Sequence, residues 1–250
     1  VHYVLEPLVG TVRGAPLHQW GDALYIPEKA EGTTPFRGPF SGRTIFLDFN
    51  GRYQRWGFDN DAVVEEAGRK GLTILPCLGL PRKVSIEEDT ALWQDIVYAQ
   101  VLRYNTGRFA KFPLRYWQLG NEINEAVGMF NILGIRLKEG ETVWKYFNLP
   151  EQRRAYVNLY FAPTAAAVRR ASKDAYGDER KVRIVLGSVA NAYNPRSREW
   201  MDELLSQRIE SRSAPELNGR AVWEVADILS FHYLVTAGSC LLYTSDAADD

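Results

Sequence analysis

Short apolar runs alternate with longer segments of helical periodicity from about residue 44 onward. Runs of about four to eight residues that are rich in β-branched and aromatic side chains and bounded by turn residues are typical of buried strands. The predicted strands are residues 44–49, 72–78, 116–122, 182–188 and 226–233. Strands that alternate with helices at this spacing predict a parallel α/β domain.

The helical segments carry recognisable start and stop residues. Asp59, Asn60 or Asp61 can cap a first helix, which Gly71 ends. A second helix is predicted to begin near Asp89 and to run to about residue 104, and two more are predicted at 151–175, with a kink at Pro163, and at 199–205. Residues 14–42 are rich in Gly, Pro and charge and predict a long loop. A further strand is predicted at either 2–8 or 8–13.

Composition and charge narrow the choice of partners. The chain has 250 residues, of which 46% are hydrophobic and 24% are charged, and its formal net charge is −1. These values are typical of a globular protein. Since no basic stripe and no uninterrupted apolar stretch of bilayer length is present, neither a nucleic acid nor a membrane is expected as a partner.

No cofactor or metal is predicted from the sequence. His2, His18 and His232 lack the spacing of metal ligands, and no glycine-rich phosphate loop or Gly-x-Ser-x-Gly elbow is present. Cys77 lies in an apolar run and is expected to be a core residue.

The dipeptide Asn121-Glu122 is the strongest candidate for chemistry. It ends the predicted strand 116–122, and active sites of parallel barrels lie at the carboxyl ends of the strands. A carboxylate in that position would be partly desolvated, which raises its pKa and suits it to general-acid attack on a glycosidic oxygen. Asn121 can donate to a sugar hydroxyl. Trp117 is equally compatible with a core position and with a platform for a sugar ring.

The residues Trp-Gln-Leu-Gly-Asn-Glu-Ile-Asn at 117–124 resemble the strand-four signature of the retaining glycoside hydrolases of clan A. The Asn-Glu-x-Asn form is similar to that of family 39 and of family 5-like relatives. Trp-Gly-Phe-Asp at 56–59, the segment 71–81 and the segment 227–232 resemble other parts of the same barrel in the same order. The resemblance covers residues 44–234.

This resemblance implies a (β/α)8 TIM barrel of which residues 1–238 contain about six of the eight strands. Glu122 is then the acid/base, Asn121 contacts the hydroxyl beside the reacting carbon, and His232 lies near the nucleophile. Tyr233 takes the place next to His232, although relatives carry a tyrosine one position later, where this chain has Leu234. Trp117 and Asn124 complete the candidate substrate-binding residues.

The nucleophile Glu is expected on a seventh strand that the chain does not contain. Residues 240–250 resemble the translation of a common transposase sequencing adapter, so 239–250 are expected not to belong to the natural protein. The full-length protein would then hydrolyse β-linked glycosides or polysaccharides with retention, whereas residues 1–250 alone would be inactive.

Two other functions remain open at this stage. A carbohydrate-binding protein on a degenerate barrel would share the fold without turnover, because a fold does not determine a function. A lyase of the aldolase type would need a lysine or metal set that the sequence does not display. The chain begins at Val1 without a signal-peptide pattern, so its N-terminus is expected to be incomplete.

Overall fold

The fold is mixed α/β, with parallel strands, an antiparallel sheet and covering helices, as a computed structural model of the chain shows. The structure describes residues 4–5, 25–53, 59–79, 84, 86–124 and 148–231. The parallel α/β architecture expected from the alternation of strands and helices is thereby confirmed. Within the described ranges, the strands do not close into a barrel.

Five short strands run parallel. β1 (Val4–Leu5) pairs with β5 (Thr73–Ile74). β6 (Cys77–Leu78), β7 (Tyr116–Leu119) and β8 (Arg183–Leu186) form a three-stranded sheet with β7 in the centre. β5 and β6 belong to one extended run, which matches the predicted strand 72–78. The order of parallel strands in space therefore follows their order in the chain.

The segment predicted as a strand at 226–233 lies beside β8 but pairs with it only through isolated bridges. These bridges join Val185 to Ile228 and Val189 to Phe231, both in the parallel sense. The side chain of Asp227 accepts the backbone N–H of Ile184 over 2.7 Å, so a carboxylate occupies a position that a backbone carbonyl takes in a regular ladder. A continuous strand is consequently absent from the described part of this segment, which ends at residue 231.

An antiparallel sheet precedes the parallel strands and corrects two predictions. It contains β2 (Tyr25–Ile26), β3 (Thr34–Arg37) and β4 (Thr44–Leu47), with β4 in the centre. The run at 44–49 is therefore a strand, but not one of the parallel set, and residues 14–42 are not entirely a loop. Apolar periodicity reveals a strand without revealing its partner, and a tight turn in which Gly38 N donates to Arg43 O over 2.8 Å makes the antiparallel partner available.

Aspartate side chains accept backbone N–H groups near the start of the first two helices. α1 (Asn60–Arg69) follows Asp59, whose side chain accepts from Ala62 N over 2.9 Å, and Gly71 has a φ of 70° just after its end. α2 (Ile86–Arg103) is kinked at Asp89, whose carboxylate accepts from Leu92 N. The cap at Asp59 agrees with the sequence prediction. The predicted cap at Asp89 is present, but α2 itself starts three residues earlier, at Ile86.

The helix predicted at 151–175 is continuous but not uniform. α3 (Pro150–Ala155) passes through a π-helical segment (Tyr156–Phe161) into α4 (Ala162–Tyr176). The irregularity lies just before Pro163, which has no backbone N–H to donate to the preceding turn. The remaining helices are α5 (Pro195–Ser206) and α6 (Val222–Val225), with single 3-10 turns at Gly107–Lys111 and Pro215–Leu217.

The core lies between the sheets and helices α2 and α4. Trp93 on α2 has no exposed surface, packs its ring 5.9 Å from that of Tyr160, and donates from Nε1 to Thr164 Oγ1 over 2.9 Å. Cys77 is buried, as predicted. None of the described helices combines the length and the apolar character needed to cross a bilayer.

Candidate active site

Glu122 occupies a sharp turn at the carboxyl end of β7. Gly120 has a φ of 92° and Glu122 a φ of 48°, which places both residues in the left-handed region that side chains larger than glycine rarely adopt. The turn closes against the end of β8, because Ile123 N donates to Ser188 O over 2.9 Å. Non-glycine residues held in this conformation cluster at functional sites, where surrounding structure compensates for the strain.

Ser188 forms hydrogen bonds with both Asn121 and Glu122. Its hydroxyl oxygen accepts from Glu122 N over 3.1 Å, and the hydroxyl donates to Asn121 Oδ1 over 3.0 Å. Ser188 has no exposed surface, whereas Asn121 and Glu122 are half-buried at the edge of the sheet. No acceptor lies within hydrogen-bonding distance of Asn121 Nδ2 in the part of the chain that the structure describes.

Sequence reasoning did not single out Ser188. The available signal was its position at the end of the predicted strand 182–188, because Glu122 ends the neighbouring strand in the same way. A hydroxyl at the carboxyl end of an adjacent parallel strand lies at the same edge of the sheet as the candidate carboxylate.

Gly187 allows the ends of β7 and β8 to approach closely. A Cβ atom at this position would lie 2.4 Å from Leu119 O and 2.5 Å from the side chain of Ile123. Only glycine therefore fits between the two strand ends in this arrangement. The turn that contains Glu122 rests directly on this contact.

Two buried tyrosines bind the carbonyl groups where β6 and β7 end. Tyr156 donates to Leu119 O over 2.7 Å, and Tyr160 donates to Leu78 O over 2.6 Å. Burial raises the pKa of Tyr156, while a hydrogen bond with the Gly187 backbone acts in the opposite direction. The hydroxyl accordingly stays protonated at neutral pH and acts as a donor.

Asn124 lies inside the protein, which does not agree with its predicted contact with substrate. It has no exposed surface; its Oδ1 accepts from Ala190 N over 2.7 Å, and its Nδ2 donates to Asn148 Oδ1 over 2.9 Å. Buried amide groups are expected to be paired in this way. The side chain holds residues 124, 148 and 190 together instead of facing a ligand.

Trp117 is a core residue and not a sugar platform. It is fully buried, its ring lies 6.5 Å from that of Tyr104 just after α2, and its Nε1 donates to Leu114 O over 2.8 Å. Successive side chains of a strand point to opposite faces of the sheet, so Gln118 lies on the other face, where Ser230 Oγ donates to its Oε1 over 3.3 Å.

His232 and Tyr233, the other predicted substrate contacts, lie outside the described residues. The last described residue, Phe231, is 58% exposed and pairs with Val189, just beyond β8. The described residues include no cluster of three His, Cys, Asp or Glu side chains arranged to hold a metal ion.

A polar cavity of about 520 Å³ opens at the same edge of the sheet. It is lined by Asn148, Asn191, Asn194, Arg196, Glu199, Trp200 and Glu203. Asn148 connects it to the loop that contains Glu122 through the hydrogen bond from Asn124. Its size falls within the range of small-molecule sites, about 300–1,000 Å³.

The site thus combines a half-buried carboxylate, an oriented amide and an adjacent polar cavity. This arrangement can exchange a proton with a bound molecule and donate hydrogen bonds to its hydroxyl groups. Neither a family model nor a curated protein sequence matches the chain.

Proposed function

We propose that the chain belongs to a retaining glycoside hydrolase in which Glu122 is the general acid/base. One observation carries the proposal: Asn121-Glu122 lies half-buried at the carboxyl end of the central parallel strand β7, and the neighbouring strand end supports it. Carboxyl ends of parallel strands are where catalytic residues of (β/α)8 barrels lie.

The strand order supports a barrel over the doubly wound alternative. β1 lies beside β5, whose run continues into β6, and β6, β7, β8 and the segment at Ile228 lie beside one another in chain order. A doubly wound sheet reverses its order at a switch point, and the described strands contain no such reversal. The described parallel strands before β7 are β1 and the run that contains β5 and β6. If β7 is the fourth strand of a barrel, one further parallel strand must precede it.

The proposed reaction takes place in two steps. Glu122 protonates the glycosidic oxygen while a second carboxylate, from outside the described residues, attacks the anomeric carbon and expels the alcohol. Glu122, now ionised, removes a proton from water, and the resulting attack releases the sugar and restores the second carboxylate. Retention requires the two carboxyl groups to lie about 5–5.5 Å apart.

Asn121 would bind the substrate beside the reacting carbon. Its Oδ1 accepts from Ser188, so its Nδ2 remains as a donor for a sugar hydroxyl. The polar cavity beside Asn148 supplies amide, guanidinium and carboxylate groups of the kind that pair with hydroxyl-rich ligands. His232 and Tyr233 remain proposed contacts near the second carboxylate.

The test is to recover the gene past the codon for Gly238, express its full product and assay it with chromogenic β-glycosides. We expect Glu122→Gln to lower kcat/KM by about 10²–10⁴-fold on substrates whose leaving group needs a proton. The loss should be much smaller for a dinitrophenyl glycoside, whose leaving group needs none. Glu66→Gln, at an exposed position on α1 away from the cavity, is the matched control and should retain activity.

Different failures point to different conclusions. Hydrolysis that survives Glu122→Gln on every substrate would exclude the acid/base role. Saturable sugar binding without turnover in the wild-type product would favour a carbohydrate-binding protein instead. A full product without a second carboxylate within about 5–5.5 Å of Glu122 would exclude the retaining mechanism.

A further inference from the structure

Ser188 is the buried group that contacts both residues of the candidate site. Its hydroxyl oxygen accepts the Glu122 backbone N–H, and its hydroxyl hydrogen goes to Asn121 Oδ1. Its own carbonyl accepts from Ile123 N. Three consecutive residues of the turn are therefore bound to this one serine, which lies two residues beyond β8.

The orientation of the Asn121 amide follows from the chemistry of a buried hydroxyl. Ser188 has one hydrogen to donate and no exposed surface. If the Asn121 amide were flipped, Nδ2 and Glu122 N would both donate to the same oxygen, and the Ser188 hydrogen would lose its acceptor inside the protein. A buried donor without a partner is costly, so the observed orientation is favoured.

We infer that Ser188 is a positioning residue for the proposed hydrolase. It holds the Asn121 amide with Nδ2 directed away from Oγ, available to a substrate hydroxyl, and it supports the left-handed backbone of Glu122. The inference rests on the proposed function for its catalytic consequence. The hydrogen bonds themselves are independent of that function and are testable without any substrate.

The kinetic test compares Ser188→Ala with Ser188→Thr in the full gene product. Each variant is assayed on a pair of aryl β-glycosides that differ only in the hydroxyl on the carbon beside the anomeric carbon. For Ser188→Ala we expect kcat/KM to fall about 10-fold on the hydroxyl-bearing substrate and less than about 3-fold on the deoxy substrate. Ser188→Thr, which retains a hydroxyl, should recover much of the difference.

A spectroscopic test separates this inference from the proposed function. The Glu122 backbone amide and the Asn121 side-chain amide are followed by ¹⁵N NMR in wild type and Ser188→Ala, with Asn121→Asp used to assign the side-chain signal. Loss of the Ser188 hydroxyl should shift both signals and accelerate hydrogen exchange at Glu122 N.

The possible results are distinct. If the amide signals shift but the protein has no glycosidase activity, the inference that Ser188 positions Asn121 and Glu122 is supported and the proposed function is overturned. Unshifted signals, or an equal fall in kcat/KM on the two substrates, would overturn the role of Ser188 while leaving Glu122 as acid/base.

Discussion

The hydroxyl of Tyr156 donates to the carbonyl oxygen of Leu119 over 2.7 Å, at the last residue of β7. This bond joins the π-helical segment to the strand end from which the Glu122 turn departs. Both residues are fully buried, so water cannot replace the hydroxyl. The irregular helix thus contributes directly to the support of the candidate site.

Replacing Tyr156 with Phe should leave the Leu119 carbonyl without this partner. We expect the free energy of unfolding to fall by about 1–3 kcal/mol, the usual cost of an unsatisfied buried polar group. Tyr116→Phe, at a side chain that is 39% exposed, is the control and should change stability by less than about 0.5 kcal/mol. Urea denaturation of both variants measures the difference, and equal effects would contradict the assigned role.

Gly187→Ala should destabilise the protein and displace the turn that contains Glu122, because the added methyl group has no room. The added methyl group would meet the Leu119 carbonyl oxygen at 2.4 Å, and a backbone oxygen in a sheet cannot move aside as a flexible side chain can. We expect a loss of about 3 kcal/mol in the free energy of unfolding, together with shifted amide signals at residues 120–123.

Gly177 provides the comparison for this prediction. It ends α4 with a φ of 73° and has open space where a Cβ would lie. Gly177→Ala should therefore cost only the backbone strain of about 1–2 kcal/mol and leave the signals at 120–123 unchanged. If Gly187→Ala proved as mild as Gly177→Ala, the close approach of β7 and β8 would not hold in solution.

Local patterns predicted the parts of the fold that depend on local physics. The strands at 116–122 and 182–188 contain short runs of aromatic, branched and other apolar side chains, and the caps at Asp59 and Asp89 follow from short-range hydrogen bonding. The antiparallel sheet escaped prediction because β2 contains only two residues, and β3, which lies in the chain between β2 and its partner β4, contains only four. Pairing between distant segments leaves no local periodic signal.

The candidate site was predictable to a similar degree. The place of Glu122 at a strand end followed from the apolar run before it. The burial of Trp117 and Asn124 did not, because the face a residue occupies depends on the register of β7 and on partners such as Ala190, far along the chain. Ser188 escaped notice for the same reason, since its contact with Asn121 spans 67 residues.

Tyr98 should make the stability of the fold sensitive to alkaline pH. Burial, aided by the hydrogen bond to Asp174, raises the pKa of Tyr98 from 10.0 to about 12. The unfolded chain therefore ionises this phenol first, so its contribution to stability is complete below pH 10 and is lost as the pH rises toward 12.

Tyr98→Phe isolates that contribution. The difference in free energy of unfolding between wild type and variant should be constant from neutral pH to about pH 9 and should then shrink between pH 10 and 12, measured by urea denaturation at each pH. Phe is also unable to donate to Asp174, so a constant offset at neutral pH is expected. A difference that stayed flat across pH 10–12 would show that the phenol titrates alike in the folded and unfolded chains.

The left-handed backbone at Glu122 leads to a last prediction, on the balance between stability and function. Because a Cβ is strained at a φ of 48°, Glu122→Gly should be more stable than Glu122→Ala by about 1 kcal/mol. Both variants remove the carboxylate, so any contact made by the side chain cancels in the comparison. The same pair at Glu199, inside α5, should show the opposite order, since glycine is less stable than alanine within a helix. The measurement is the unfolding midpoint in urea of each of the four variants. If Glu122→Ala is more stable than Glu122→Gly, the strained turn is excluded. If the predicted order is found, the sequence retains a glutamate at a position where glycine gives a more stable fold.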